Sequence, residues 1–141
     1  MTITASGLAG KTSGDSVTSV ARSVGSVTAG RRVAFCVSYW SDLALDTLTA
    51  GDLTKTAGTS TIGTVVLERQ DSIASGGGTY IHSAVFRVPI TGSGTLTLTL
   101  AGLHSGSYVT VFTEEFDASG GWDAATVAAA GAATATDSLT T

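Results

Sequence analysis

One cysteine, one proline, one methionine and few charges are present in this chain, and each scarcity closes a route. With Cys36 alone no intramolecular disulfide can form, so the 141 residues must be held by an ordinary core, which a chain of that length can build. Cys36 stands in the apolar run 33–40 and reads as a small buried hydrophobe rather than a reactive thiol. Charged residues are 13% of the chain, against about 25% in an average globular domain. The surface must therefore be largely neutral and hydroxyl-bearing. Acidic residues outnumber basic ones 11 to 7, for a net charge of -4, and Arg31 and Arg32 form the only basic pair. Duplex binding rests on clustered Lys and Arg neutralising phosphates, so a nucleic-acid surface is not expected. No apolar run approaches a membrane span, and residues 1–9 lack the charged start and long apolar stretch of a signal peptide. The expectation is a soluble chain made in a cytoplasm.

What is present is alternation. Over 94–116, Leu96, Leu98 and Leu100 alternate with Thr95, Thr97 and Thr99, the period of a half-buried strand. After a turn-rich stretch at 101–107, Tyr108, Thr110, Phe112, Glu114 and Phe116 alternate with Val109, Val111, Thr113 and Glu115, predicting a second strand at hairpin distance. Residues 32–40 are apolar at both parities, so that strand should lie centrally with both faces covered. Further strands are predicted around 17–24, with a bulge near Gly25, at 43–49, at 53–56 as its hairpin partner after a turn at 50–52, at 62–70, and at 79–88, closed or placed at a sheet edge by Pro89. Residues 71–78 read as a flexible connection. A glycine run there could suggest a phosphate loop, but a strand follows where a helix would be needed. Residues 117–123 form a loop, 124–135 a loose Ala-rich segment, and 133–139 a last strand. The pattern predicts an all-β chain, an antiparallel β-sandwich of immunoglobulin-like or jelly-roll type with about eight strands. Residues 1–27 form an N-terminal arm and edge strand, residues 28–141 the sandwich, and together they make a single structural domain.

No residue constellation declares a chemistry. Neither His82 nor His104 stands near a Cys, Glu or second His at ligand spacing, and no serine lies in a nucleophile elbow, so no catalytic, metal or cofactor residue is assigned and an enzyme is not expected. Glu115, Asp117 and Asp123 are the one set a calcium ion could use, without the dense acidic spacing of a dedicated calcium loop. Glu114 and Glu115 must point to opposite faces of their strand and cannot act as a carboxylate pair, and Glu114, by parity with Phe112 and Phe116, is expected to point inward. Candidate interface residues are Thr2, Ile3 and Thr4 in the arm, with a frayed terminus as the alternative, and Trp40 and Trp122. Trp122 sits among glycines in a loop, as an exposed anchor or folded back over the sandwich end.

Taken in order, the segments at 30–40, 48–54 (Leu-Thr-Ala-Gly-Asp-Leu-Thr), 80–88, the Thr-Leu strand, 109–116 (Val-Thr-Val-Phe-Thr-Glu-Glu-Phe) and a closing Asp-Ala-Ala-Thr resemble β-sandwich proteins of tailed-phage genomes, virion components of the head decoration (cement) or minor tail type. The resemblance runs from about residue 30 onward, and its motifs carry no functional residue across. It implies a structural virion protein, made in the host cytoplasm, that binds and stabilises the head shell through the major capsid protein, or else belongs to the tail. It implies a homo-oligomer, with a trimer as one candidate. A carbohydrate-binding or adhesion module using Trp40 and Trp122 is the alternative from another class.

Overall fold

The computed structural model describes residues 14–42, 47–104 and 107–117, and these form two antiparallel sheets packed face to face. The strands are β1 (Gly14–Val17), β2 (Val20–Val27), β3 (Arg32–Ser41), β4 (Leu53–Ala57), β5 (Thr61–Ile62), β6 (Val66–Gly76), β7 (Thr79–Gly92), β8 (Gly94–Leu100) and β9 (Ser107–Phe116). The smaller sheet runs β2-β8-β4. The larger runs β1-β9-β3-β7, with β5 and β6 both lying against the far flank of β7. Among the described residues no helix is long and apolar enough to cross a membrane. The all-β sandwich expected from the alternation is the observed architecture.

The core forms where the apolar parity of one sheet meets that of the other. Leu96, Leu98 and Leu100 of β8 face Val33, Phe35, Val37 and Tyr39 of β3, Ala84, Phe86, Val88 and Ile90 of β7, and Val109 and Val111 of β9, all buried. Phe35 meets Phe86 edge-on at 6.2 Å between ring centroids. Each such large side chain removed from water contributes about 1.5–3 kcal/mol. Residues of the 1–27 segment share this core: Val20 and Val27 are buried, and β2 bends at a bulge between Ser23 and Gly25, where Gly25 takes φ 91°, as the glycine there suggested. On the two edges of the small sheet Arg22 and Lys55 both stand opposite Leu98. Charges on the core-facing parity of edge strands discourage further strand pairing.

Several expectations are corrected. β8 and β9 are not a hairpin: they lie in opposite sheets, and the segment after Leu100 crosses between them, held by Ala101 N–H donating to Asp52 O and Leu103 N–H to Thr18 O. Two strands that each carry one apolar face bury it by opposing one another across a core, and Leu103, buried, seals the crossing. The parity of β9 is also reversed. Val109, Val111, Thr113 and Glu115 point inward, while Phe112 points out and Glu114 stands on its side. Pairing with β3 sets this, Val111 opposite Val37 and Val109 opposite Tyr39, because a one-residue slip would exchange the two faces.

β4 pairs with β8, Leu53 opposite Leu100, rather than with a strand at 43–49. Of that stretch 43–46 lie outside the described residues, Leu48 is buried, and Thr49 opens a 3₁₀ turn, Ala50–Asp52, with its N–H on Asp52 Oδ2. The connection at 71–78 shrinks to Gly77 and Gly78, whose φ values of 62° and 79° suit a two-residue hairpin turn; β6 stays in the ladder of β7 through Gly76. Pro89 does not end its strand. Its carbonyl accepts from Gly63 N–H, so the missing donor faces the gap between β5 and β6, where no ladder bond is lost. The predicted strand at 133–139 lies outside the described residues.

Gly58, φ 98°, would place a Cβ 2.1 Å from Thr95 O, whereas Gly77 has open space at its turn. Gly58→Ala should cost at least about 2 kcal/mol in urea unfolding and Gly77→Ala about 1 kcal/mol, since only the first adds a backbone clash to the left-handed strain. Equal costs would show that the close approach at Gly58 is relieved without effort.

Candidate interaction surface

A sheet covered on one side displays the opposite parity of every strand on the other. In the larger sheet that outer parity is arranged in cross-strand rows. Trp40 stands opposite Tyr108 on one flank and Ile81 on the other, and Ile81 is opposite Ile73, so one row of four large apolar side chains crosses β9, β3, β7 and β6. Tyr108 is 53% exposed, Ile73 50% and Ile81 44%. Trp40 is half-buried, its ring edge-on to Tyr108 at 5.4 Å and 65°. The next row along the strands is Thr110, Ser38, Ser83 and Asp71, and the one after it Phe112, Cys36, Val85 and Arg69. Phe112 is 48% exposed.

The outer face of β3 is thus only half covered, and the expectation that both its faces would be buried is corrected: three strands of the other sheet occupy one side and no described residues cover the other. Charge gathers towards the far end. Glu114 and Arg87 stand on opposite flanks of Ala34, Arg87 is paired with Glu68, and Arg69 with Asp71. The Arg69 hydrogen bond holds the Asp71 carboxyl below its usual range. Burial, and then the charge of Glu114, push the Cys36 thiol up, which makes it a poor nucleophile near neutral pH.

The smaller sheet differs. Its outer parity carries Ala21, Ser23, Thr54, Thr95, Thr97 and Thr99, with Thr56 and Thr99 hydroxyls bonded at 2.8 Å and no charge among them. One outer face is hydroxyl and methyl; the other carries two apolar rows.

Inside the sandwich, two polar groups are fully engaged. His82, completely buried, stacks on Tyr39 at 4.7 Å, and its Nε2 and Nδ1 are hydrogen-bonded to Ser41 Oγ at 2.9 Å and Ser72 Oγ at 2.6 Å. A hydroxyl can donate or accept, so either tautomer is satisfied. No carboxylate orients the ring, and the trio serves as a polar brace of the β6-β7 hairpin against β3. Glu115, the inward carboxylate near the sheet end, accepts from Thr28 N–H at 2.6 Å and stands 3.6 Å from Arg31, fixing the turn between β2 and β3. Its carboxylate is committed to that turn. Asp123 lies outside the described residues, and among those described no three of His, Cys, Asp and Glu gather as a metal site. His104 binds Asp42 at 2.9 Å.

Of the interface residues expected from sequence, Trp40 lies on the exposed apolar row. Thr2, Ile3, Thr4 and Trp122 fall outside the described residues. The reading missed Tyr108, Ile81, Ile73 and Phe112 as surface groups. The available signal was the competing valine parity in 107–116, where valines alternate with larger rings and only one set fits a core already filled by Phe35, Phe86 and Tyr39. No protein-family model, curated protein or solved structure matches the chain.

Glu114→Gln should lower the apparent pKa of Cys36 and speed its reaction with iodoacetamide at fixed pH and protein concentration, since removal of a nearby negative charge favours the thiolate. A pH-rate profile checks this, and an unchanged profile would leave burial as the sole cause.

Proposed function

We propose that this chain is a structural protein of a tailed-phage virion, a head decoration protein that binds the major capsid shell and stabilises it as a homo-oligomer. The observation that carries this reading is the exterior: one sheet presents an uncharged hydroxyl face and the other presents exposed apolar rows, beside which Arg69 is paired with Asp71 and Arg87 with Glu68. Such a surface gives up little solvation of charge when packed against neighbours. The aromatic and aliphatic rows supply the area term, and the Ser and Thr side chains can bond to a partner's backbone without a desolvated ion. The strand-order resemblance to phage sandwich proteins agrees with a part that assembles. Within the same class, a minor tail protein would use the same surfaces against a tail partner.

The test is to mix the chain with shells assembled from the major capsid protein of the same genome. Saturable, stoichiometric binding should follow, together with a rise in the temperature at which the shells fall apart, since a ligand at 100 times its Kd stabilises each site by about 2.7 kcal/mol. Binding to tails alone would move the protein to the tail. Binding to neither, with retention on a glycan array, would replace the reading with an adhesion module built on Trp40 and Tyr108.

A further inference from the structure

We infer that two copies of this chain pair face to face through the outer surface of the larger sheet, about a two-fold axis lying along the row Thr110, Ser38, Ser83 and Asp71. The inference deepens the assembly reading above by naming the self-association surface, and it rests on that reading only for its purpose, not for its geometry. The two apolar rows lie one on each side of the hydroxyl row, at equal distance: Tyr108, Trp40, Ile81 and Ile73 two residues to one side, Phe112, Cys36 and Val85, with Arg69 at the β6 end, two residues to the other. A two-fold axis along the middle row lays each apolar row of one copy on the other apolar row of its mate. Tyr108 then faces the second copy's Phe112, Trp40 faces its Cys36, Ile81 faces its Val85, and Ile73 at the rim lies against the stem of its Arg69.

The small side chains of Ser38, Ser83 and Thr110 meet their own counterparts on the axis, where little bulk keeps the sheets apart. Asp71, at the rim of the same row, meets its own counterpart, and the two carboxylates are set between the two Arg69 guanidinium groups that they bond. The charged row with Glu114, Arg87 and Glu68 stays outside the apolar contact. This is the self-complementarity that an isologous interface needs.

The area is that of a reversible dimer. Four strands about 4.8 Å apart and three rows about 6.8 Å deep make a flat footprint of about 400 Å². With side-chain relief this is the size of a small, concentration-dependent interface, below the roughly 800 Å² per partner of a standard one. Packing two sheets by their faces repeats, between copies, the arrangement that already forms the core within one. The hydroxyl face of the smaller sheet remains outward on both copies, free for the shell.

Native Cys36, in the second apolar row, reports the pairing without any substitution. Sedimentation of the full chain over a concentration series should show a monomer of 14.0 kDa passing to twice that mass. The alkylation rate of Cys36 should fall over the same range, by about fivefold where the total chain concentration is ten times the dissociation constant. Ser38→Arg sets two like charges against each other on the axis, and Ile81→Asp puts a carboxylate in the apolar row; both positions are exposed in the single copy, so both variants should fold, by circular dichroism, yet stay monomeric with Cys36 reactive throughout. Ser23→Asp, on the other sheet, should dimerise like the parent. A monomer at every concentration, a trimer, a dimer indifferent to Ser38→Arg and Ile81→Asp, or Cys36 protection independent of concentration would each overturn the interface. Because these measurements use the chain alone, shell binding that persists without pairing removes only this interface, and pairing without shell binding removes only the virion reading.

Discussion

Strand β3 is hydrogen-bonded along both flanks, to β7 from Arg32 to Ser41 and to β9 from Arg32 to Trp40, but the described residues cover it on only one face. That mismatch between pairing and covering governs the molecule. Full pairing fixes the register of the three longest central strands, and register decides which parity of each strand is core. Once Val33, Phe35, Val37 and Tyr39 face the smaller sheet, Val88, Phe86, Ala84 and His82 must join them from β7, and Val111 and Val109 from β9. Everything at the other parity is left outside, including side chains large enough to belong in a core.

Strands adjacent in sequence mostly lie in opposite sheets, with β5, β6 and β7, all in the larger sheet, the exceptions. Crossings of this kind are costly unless their polar groups are satisfied, and each described crossing has a dedicated tie. Glu115 holds the turn after β2, Asp52 holds both Thr49 and Ala101, and Thr59 and Thr95 exchange bonds at the crossing after β4. Buried Glu115 and His82 are accordingly fixtures of the architecture. His82, which in isolation looks like the best candidate for acid–base chemistry, is spent on bracing the hairpin between two serines.

The proposed function rests on the same asymmetry. A face with alternating apolar and hydroxyl rows suits another flat surface of the same kind. The rows exist because cross-strand partners share a side, so four strands in register convert scattered residues, each unremarkable in its own strand, into bands several side chains wide. Trp40 shows the principle: alone it is one half-buried ring, and beside Tyr108, Ile81 and Ile73 it is the middle of a continuous apolar strip.

The sequence by itself determined the fold class, most strands and several turns, because these depend on period, β-branching and glycine, which are local. The leucine parity of β8, the bulge at Gly25, the glycine turn before β7 and the neutral surface were all legible there. Tertiary structure alone decided that β8 and β9 oppose rather than pair, that Glu115 and not Glu114 turns inward, that β4 joins β8, and that the apolar rows face outward. Each of these is a question of register between segments far apart in the chain, and register is settled by the volume available in a shared core, a quantity that no single segment carries.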